Sequence, residues 1–418
     1  MKNRSMKHWL VVLTLCGITI SAIGLPVMSN GVFITPIADS LGVYRGSVAM
    51  HNTLTLFTKA IMSLYAGVLI RKYPFKLVIL FGVLLAGVSN ILLGFSESIL
   101  VFNILGTLRG IGSGLLAWVP VTIVVNEWFE QKHGLVMSIV LSFSSVGGAV
   151  FSPVFTRLIE SIGWEQSYQI MGLLIIAFTL PALLIPYTLD PKESGYLPYG
   201  ALEHTDQAST KEKKMIKREE QVGVNGALFA LMFTFTLLQT MLIGVPQHFP
   251  GFSGTLGMTS EVGATMLSFA MISSIGFKLG MGYLSDFVGP IKSTLSMVAI
   301  VGGASILLVI FESAWLLYGA AFLYGAIFSI PSVSVTLLTK EFFGRYHFVR
   351  LYPILAFATS LGGAFSISLV GYIFDFTGSY IPAFIFSLGI NLFNFVVLWI
   401  MVRMHTHNSL RKRGKADH

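Results

Sequence analysis

The sequence has little charge and almost no cysteine. Only 11% of its 418 residues are charged, whereas a soluble domain carries about 25%. Its one cysteine, Cys16, excludes an intramolecular disulfide. The phosphate-binding motif G-x-x-x-x-G-K-[ST] is absent, and no catalytic Ser/His/Asp or metal-ligand cluster is evident. The sequence therefore predicts no direct ATP drive, no resident cofactor or metal, and no enzyme activity.

Long apolar runs dominate the chain, 54% of which is hydrophobic. Because crossing the hydrocarbon core takes about 20 apolar residues, the sequence predicts an all-α membrane protein with twelve transmembrane helices. The predicted spans lie near 9–37, 46–70, 77–95, 99–125, 134–158, 165–187, 223–248, 258–284, 291–311, 314–338, 348–374 and 380–402. The predicted units are six-helix bundles at 1–188 and 223–403, a cytoplasmic linker at 189–222 and a basic cytoplasmic tail at 404–418.

The basic residues are distributed unequally between the two sides of these spans. If the N-terminus is cytoplasmic, 22 of the Lys and Arg residues fall in cytoplasmic segments, and two, Arg45 and Arg157, lie outside. Such asymmetry follows the positive-inside rule and predicts that both termini are cytoplasmic. It also accounts for the net charge of +8 without any nucleic-acid partner.

The two sets of six spans are repeats of one another. Ser-Val-Gly-Gly-Ala at 145–149 recurs as Ser-Leu-Gly-Gly-Ala at 360–364, an offset of 215 residues. Gly67 matches Gly282 at the same offset, and Arg109-Gly110 matches Tyr324-Gly325. Parallel six-span repeats build one large class of secondary transporters, whose substrate site lies near the midplane between the halves.

Residues 282–292, GYLSDFVGPIK, resemble the loop motif G-x-L-x-D-x-x-G, followed by basic residues, of the major facilitator superfamily. The resemblance implies that superfamily's two-bundle fold and a gating motif. The gating residues it implies are Gly282, Asp286, Gly289 and Lys292. The first-half copy of the motif is degraded, with Arg71 in place of the aspartate and Pro74 in place of the second glycine.

A second resemblance begins between the fourth and fifth spans, to the monocarboxylate transporters and the bacterial oxalate/formate antiporters. The matching residues are Trp128-Phe129, Lys132-His133-Gly134-Leu135, Gly147-Gly148, Pro153 and Gly163-Trp164, with departures at Val136 and Glu165. This resemblance implies a carrier of small organic anions with a cation in the eighth helix, where Lys278 falls. It also implies that the second helix packs beside the eleventh.

The chain departs from these relatives at their charged sites. Met28 stands at the place of a first-helix lysine and Ser274 at that of an eighth-helix aspartate, so the proton-coupling pair of the eukaryotic carriers is missing. The eleventh span has no lysine in its interior, where the oxalate-type carriers have one. The resemblance suggests that Lys59, on the neighbouring second helix, supplies that charge.

Three cations lie within predicted spans, whereas every acidic residue falls in a loop or at a helix end. These cations are Lys59, Arg109 and Lys278. A charge at a helix centre costs roughly 2.5–3.5 kcal/mol on insertion scales, and an anionic ligand would compensate for it. We therefore predict that Lys278 and Lys59 contact the substrate. Arg109 is predicted either to do the same or to have a structural or coupling role, since Arg-Gly-Ile-Gly occurs in facilitators of unrelated specificity.

Several neutral residues are weaker candidates for the site. His51, Thr55, Lys59 and Ser63 form a polar stripe at steps of four, typical of a helix face on a water-filled cavity. The other predicted contacts are Asn30, Gln239, Tyr324 and Ser329, which at helical spacing can equally be interhelical hydrogen bonds. His51 is the candidate for proton coupling, and His248 is interpreted as an interfacial loop residue.

The sequence thus favours a secondary active transporter of small organic anions, either mono- or dicarboxylates, that works by alternating access. Anion exchange and proton symport both stay open, so the partners are an organic anion, the lipid bilayer, and protons or a counter-anion. The predicted state is a monomer in the cell membrane, by analogy a bacterial cytoplasmic membrane. The alternatives are an efflux pump for drugs or other metabolites, which generally needs a buried acid, and a non-transporting membrane sensor.

Overall fold

The computed structural model describes residues 6–116, 118–200 and 224–416, and these are helical apart from connecting segments and one isolated bridge. The first half contains α1 Met6–Thr19, a π-helix Ile20–Met28, α2 Gly31–Leu41, α3 Arg45–Lys72, α4 Phe75–Leu93, α5 Ile99–Leu116, α6 Trp118–Trp128 and α7 His133–Leu184. A 3-10 turn, Pro191–Ser194, follows. The second half contains α8 Gly226–Thr240, a 3-10 turn Val245–His248, α9 Phe249–Thr255, α10 Ser260–Val288, α11 Pro290–Ile310, α12 Ala314–Tyr324, a 3-10 turn Gly325–Phe328, a π-helix Ile330–Ser334, α13 Val335–Thr377 and α14 Ile381–Ala416.

Eleven helical stretches in the described residues are long and apolar enough to cross a bilayer. One of them, Leu135–Leu184, has 50 residues, or about 75 Å of helix, more than twice the thickness of a hydrocarbon core. Gly163 interrupts it with φ 86° and ψ 163°, between the predicted spans at 134–158 and 165–187. The prediction of an all-α membrane bundle is confirmed, with boundaries close to those expected.

The repeat detected in side-chain motifs is also present in the backbone. Gly42 and Gly257 lie 215 positions apart and have φ of 62° and 70°. Gly163 and Gly378 have the same separation, with φ of 86° and 69°. Each of the four ends a helix, interrupts one or lies in a turn, with a positive φ that glycine adopts at little cost. The two halves therefore turn their chains at matching positions.

Helix packing repeats at the same offset. Gly110 of α5 lies so close to Thr58 of α3 that a Cβ atom would overlap the threonine hydroxyl. Gly325 has the same relation to Ser273 of α10, and both members of this pair are 215 positions further on. Small residues allow two helices to approach closely within a membrane, and here the same approach is made once in each half.

Two seams join the halves. In the first, α3 packs against α13, and the hydroxyls of Thr53 and Ser368 lie 2.7 Å apart. In the second, α7 packs against α10, where Ser268 Oγ donates to the carbonyl of Ala149 at 2.8 Å. Thr53 and Ser268 are themselves 215 positions apart. The predicted packing of the second helix beside the eleventh is confirmed by the first of these seams.

We call one end of the bundle the Arg45 end, where α2 and α9 meet the start of α3. Several polar contacts join the two halves of the protein at this end. Gln247 Oε1 accepts a hydrogen bond from the backbone N–H of Gly31 at 2.9 Å, and Arg45 Nη1 donates to the hydroxyl of Tyr380 at 2.8 Å. The guanidinium of Arg45 also lies 4.1 Å from the centre of the Phe374 ring. This end of the molecule is therefore closed across both halves.

At the opposite end, residues 185–200 fold back on the first half. Trp128 Nε1 donates to the carbonyl of Thr188 at 3.1 Å, and the buried ring of His8 lies 5.6 Å from both Trp128 and Tyr199. The first part of the predicted linker is thus packed on the bundle, whereas 201–222 lie outside the described residues. The predicted tail is helical as far as Ala416, as a continuation of α14.

Candidate functional site

Lys278 lies on α10, ten residues before that helix ends at Val288, and its side chain is half-buried. Its ammonium lies 3.4 Å from the hydroxyl of Ser145 on α7, across the seam between the halves. The hydroxyl of Ser274 lies 2.8 Å from the same Ser145 oxygen. An ammonium has three donors, and within the described part of the chain Ser145 is the only acceptor for this one. Ser145 therefore orients the ammonium of Lys278 but does not neutralise its charge.

Lys59 lies on α3, the helix that forms the other seam, and is also half-buried. Its ammonium has no hydrogen bond or ion pair with any residue that the structure describes, while its backbone carbonyl accepts from Ser63 Oγ at 2.8 Å. At the repeat offset of 215, Lys59 corresponds to Ser274 and Lys278 to Ser63. Each lysine is thus one helical turn from the symmetry equivalent of the other.

Arg109 lies in a different setting, fully buried inside the first half. Its guanidinium donates to Asn52 Oδ1 at 2.6 Å, to Asn90 Oδ1 at 3.1 Å and to Thr55 Oγ1 at 2.9 Å. These oxygens are neutral and come from α3 and α4. They satisfy the planar fork of an arginine without any acid. The geometry favours the structural alternative for Arg109, and substrate contact by Arg109 and Thr55 stays a prediction.

His51 and Asn30 are buried beside this network. His51 Nδ1 contacts the carbonyl of Val48, which only accepts, so the hydrogen-bond pattern assigns the ring proton to Nδ1. Its Nε2 lies 3.2 Å from the hydroxyl of Tyr168, which donates to Asn30 Oδ1 at 2.9 Å. The polar stripe predicted on α3 therefore divides. His51 and Thr55 are buried in the interior of the first half, whereas Lys59 and Ser63 are only half-buried.

Gln239 and Tyr324 belong to a second buried network, inside the other half. Gln239 Nε2 donates to Asn391 Oδ1 at 3.0 Å, and its Oε1 accepts from Asn394 at 2.6 Å. The hydroxyl of Tyr324 lies 2.8 Å from Ser387 Oγ. The polar atoms of Gln239 and Tyr324 are therefore occupied by protein partners. Their predicted role as substrate contacts stays a prediction beside this interhelical one.

The two networks occupy matching places in the repeat. Arg109 bonds Asn90, and Tyr324, 215 positions after Arg109, bonds Ser387, whose hydroxyl lies 2.9 Å from Ser305. Ser305 is itself 215 positions after Asn90. Both halves therefore carry a buried polar contact at the same depth. In the first half it is charged and in the second neutral.

The remaining candidates lie apart from the lysines. Ser329 is fully buried and donates to the carbonyl of Ala326 in its own turn, at 2.7 Å. His248 is not the interfacial loop residue that the sequence suggested: it is 2% exposed, and its Nε2 lies 2.8 Å from the carbonyl of Ile367 on α13. A 3-10 turn carries His248 inward. The sequence around the residue does not indicate this turn.

The gating residues lie where α10 ends and α11 begins. Gly289 has φ 87° and ψ 159°, the region where glycine is needed. Gly282 precedes it on α10, and both Asp286 and Lys292 are exposed. Neither of these two charged side chains forms an ion pair with a residue that the structure describes. In the first half, Pro74 has φ −54° and ψ 128°, so the corresponding turn is different.

Sequence reasoning missed several functional candidates. Ser145 appeared only as part of the repeated Ser-Val-Gly-Gly-Ala motif, without any sign that its hydroxyl reaches Lys278. Asn52 and Asn90 gave no signal, because buried amides are common and their partner lies far away in the chain. Asp375 contacts α3 at the Arg45 end, but in the sequence it is simply an acid at a helix end.

The two halves repeat one another, and the helices that form their seams carry half-buried cations. This arrangement is that of a membrane transporter built from two bundles. The fold agrees with solved transporter structures. It superposes on the crystal structure of the nucleoside transporter NupG with a TM-score of 0.69 at 13% sequence identity, covering 94% of this chain and 98% of that one.

The sequence matches the profile of the Major Facilitator Superfamily over residues 15–347 and 249–417, and the chain belongs to that family. It is 22% identical over 390 residues to the uncharacterized MFS-type transporter YcxA of Bacillus subtilis, covering 91% of this chain and 92% of that protein. It is also 22% identical over 381 residues to monocarboxylate transporter 13 of Rattus norvegicus, covering 90% and 85%. The chain is thus similar to the monocarboxylate-transporter branch, as the sequence motifs predicted.

Proposed function

We propose that this protein is a secondary active transporter of small organic anions, mono- or dicarboxylates, that works by alternating access. One observation carries the proposal. Lys59 and Lys278 are half-buried on the seam-forming helices α3 and α10, and neither has a carboxylate partner among the described residues. The similarity to a protein named as a monocarboxylate transporter points to the same class of substrate.

The energetics of these two ammonium groups support an anionic ligand. Removing a cation from water is costly unless an opposite charge or several hydrogen bonds replace the hydration shell. The 3.4 Å contact of Lys278 with Ser145 is longer than the 2.7–2.9 Å typical of charge-assisted bonds, and it supplies one acceptor of three. A carboxylate would provide both the missing charge and the missing acceptors.

The topology follows from the same proposal. We infer twelve spans, with Leu135–Leu184 divided at Gly163, arranged as bundles 1–188 and 223–403 with cytoplasmic termini. The positive-inside distribution supports this orientation in the cell membrane, and a bacterial relative is compatible with a bacterial cytoplasmic membrane. The Arg45 end is then the outer end, so the contacts of Arg45 and Gln247 close the carrier toward the outside.

Exchange is the mode of transport that the two lysines favour. If Lys59 and Lys278 face one substrate site, their two unneutralised charges disfavour the occluded state without substrate. Because the carrier must pass through that occluded state to return empty, a low population of the state favours one-for-one exchange over net flux. Proton symport is the second candidate, with His51 as the proton carrier, since its Nε2 carries no proton when Nδ1 faces the Val48 carbonyl and lies 3.2 Å from the hydroxyl of Tyr168.

Two rival functions fit less well. An exporter of cationic drugs generally requires a buried acid, and the sequence places every acid in a loop or at a helix end. A non-transporting sensor would have no need of two repeats with matched seams.

Flux into proteoliposomes tests the proposal. Purified protein is reconstituted with an unlabelled carboxylate inside, and uptake of labelled mono- and dicarboxylates is measured with Lys278→Gln as the inactive control. We expect saturable counterflow in wild-type vesicles alone. Absence of carboxylate flux, or equal flux in the glutamine variant, would overturn the assignment.

A further inference from the structure

We propose that Ser145 is a positioning residue for Lys278, and that Ser360 does the same for Lys59 when the carrier faces the other way. The inference rests on the proposed function, since it assigns Lys278 and Lys59 to the substrate. Its first support is direct: Ser145 belongs to the first half and Lys278 to the second, and their 3.4 Å contact crosses a surface that must shear during alternating access.

The chemistry of this contact suits a group that orients a cation and then releases it. A serine hydroxyl is neutral, so it directs the ammonium without cancelling its charge. Ser274, only 2.8 Å from Ser145 Oγ, fixes that hydroxyl in turn, and both serines are almost fully buried. The ammonium is therefore already oriented when a carboxylate arrives. The carboxylate then displaces a weak hydrogen bond rather than a strong one.

The repeat supplies the second support. At the offset of 215, the three residues of the α7–α10 seam map onto three residues of the α3–α13 seam. The matched pairs are Ser145 with Ser360, Ser274 with Lys59, and Lys278 with Ser63. Each seam thus carries one lysine and two serines at equivalent positions, with the lysine displaced by one turn. Because one offset relates the two sets, we infer that the serine and lysine residues of both seams work in the same way.

In this structure the two sets differ. Ser145 contacts the lysine of its seam, whereas Ser360 Oγ donates back to the carbonyl of Ala356 on its own helix at 3.0 Å. Lys59, in the same seam, has no partner among the described residues. Since the pseudo-symmetry pairs Ser360 with Lys59, we expect that contact to form when the halves rock to the opposite state. The hydroxyl–lysine contact would then alternate between seams as the carrier turns over.

Counterflow kinetics test the positioning role. Ser145→Ala should raise the KM for the carboxylate by roughly 2- to 10-fold, because an ammonium that is no longer oriented in advance must be ordered when the carboxylate binds, while the maximal exchange rate does not fall. Ser145→Thr, which keeps the hydroxyl, should restore the wild-type KM. Ser144→Ala is the matched control, because Ser144 is equally buried but donates to Leu141 of its own helix. Its KM should stay within about twofold of wild type.

A wild-type KM for Ser145→Ala, or a threonine variant as impaired as the alanine one, would overturn the inference. The thermal stability of each variant in detergent is measured alongside, so that a folding defect is recognised by a fall in stability. If Lys278→Gln transports normally, the proposed function itself has failed. If Lys278→Gln is inactive and Ser145→Ala is normal, only the positioning role has failed.

The role of Ser360 is tested by the side from which substrate is offered. KM is measured in right-side-out and inside-out vesicles for Ser145→Ala and Ser360→Ala. We expect each variant to raise KM mainly at one face of the membrane, and the two variants at opposite faces. Equal effects of both variants at both faces would refute the alternation between seams.

Discussion

The carboxylate of Asp375 accepts a hydrogen bond from the backbone N–H of Arg45 at 3.1 Å, across the boundary between the halves. Its second oxygen accepts from the N–H of Gly46 at 2.8 Å. The first N–H groups of a helix have no partner within it, so a side chain of α13 caps α3. The phenol oxygen of Tyr380 accepts a hydrogen bond from the Arg45 side chain. Closure of this end is thus tied to capping of the second span.

We expect Asp375→Asn to open the Arg45 end. An amide can accept through one oxygen only and has no charge for the helix dipole, a loss of about 1–2 kcal/mol that corresponds to a 5- to 30-fold change in population. The measurement is the labelling rate of a Thr53→Cys reporter by a membrane-impermeant thiol reagent. The background is Cys16→Ser, which removes the protein's only cysteine. Thr53 is 2% exposed in the closed structure.

An exposed ion pair between the two halves is the matched control. Arg157 Nη2 lies 2.6 Å from Glu261 Oε1, but both side chains are more than half exposed, and exposed pairs contribute about 0–1 kcal/mol. Glu261→Gln should therefore change the labelling rate of the Thr53→Cys reporter far less than Asp375→Asn. Equal effects of the two variants would show that capping of α3 has no special part in closure.

Lys278→Gln should abolish carboxylate uptake without harming the fold. Truncating one partner of a desolvated charge pair weakens binding by about 2–5 kcal/mol. Removal of a half-buried cation leaves no acid unpaired, so stability should hold or rise. Uptake into proteoliposomes and thermal unfolding in detergent are measured together. Unchanged carboxylate affinity in this variant contradicts the role of Lys278.

Lys278→Arg should not be neutral. A planar guanidinium fork and a compact ammonium meet a carboxylate with different geometry, and the fork does not match the single Ser145 oxygen. We expect lower affinity or altered selectivity between mono- and dicarboxylates in competition assays. Full transport with unchanged selectivity would mean that Lys278 contributes only a positive field.

Lys59 and Lys278 should act on one substrate. Single and double glutamine variants are compared for binding of a mono- and a dicarboxylate, and the double-mutant cycle gives the coupling free energy directly. We expect Lys59→Gln to weaken the dicarboxylate more than the monocarboxylate, because two cations match two carboxylates. Equal weakening, or none, leaves a one-cation carrier, and His51 then becomes the first residue to test for proton coupling.

Arg109→Gln should behave in the opposite way to Lys278→Gln. Without the guanidinium, the oxygens of Asn52, Asn90 and Thr55 lose a donor, and a buried polar group left unsatisfied costs about 1–3 kcal/mol. We expect a clear fall in the melting temperature in detergent. Arg109→Lys should recover only part of it, because an ammonium cannot reproduce the fork. A variant that is fully stable but inactive would favour substrate contact.

The sequence predicted most of the fold because long apolar runs and a fixed repeat offset are local or periodic signals. It also predicted that Lys59 and Lys278 differ from ordinary surface lysines, since a cation within an apolar run is visible in one dimension. It did not predict the partners of Arg109. Those side chains lie 19 to 57 positions away in the chain, and only the packing of α3, α4 and α5 brings them together.

The polar stripe on α3 shows the same limit. Spacing at four residues places His51 and Lys59 on one face, but a face can change its neighbour along its length. Near the Arg45 end that face lies against α5 and α7, so His51 is fully buried there, whereas Lys59, two turns on, is only half-buried. Periodicity predicts which residues share a side of a helix, and packing determines what that side meets.

The turn at Gly289 and its first-half counterpart at Pro74 differ in a way that the repeat does not reproduce. Gly289 has φ 87°, which glycine adopts at little cost, and Pro290 follows it as the first residue of α11. Pro74 has φ −54°, because the proline ring holds φ at about −65°. A proline at position 289 could not adopt the positive φ observed there. The two loops are therefore not interchangeable, although the helices that they join are related by one offset.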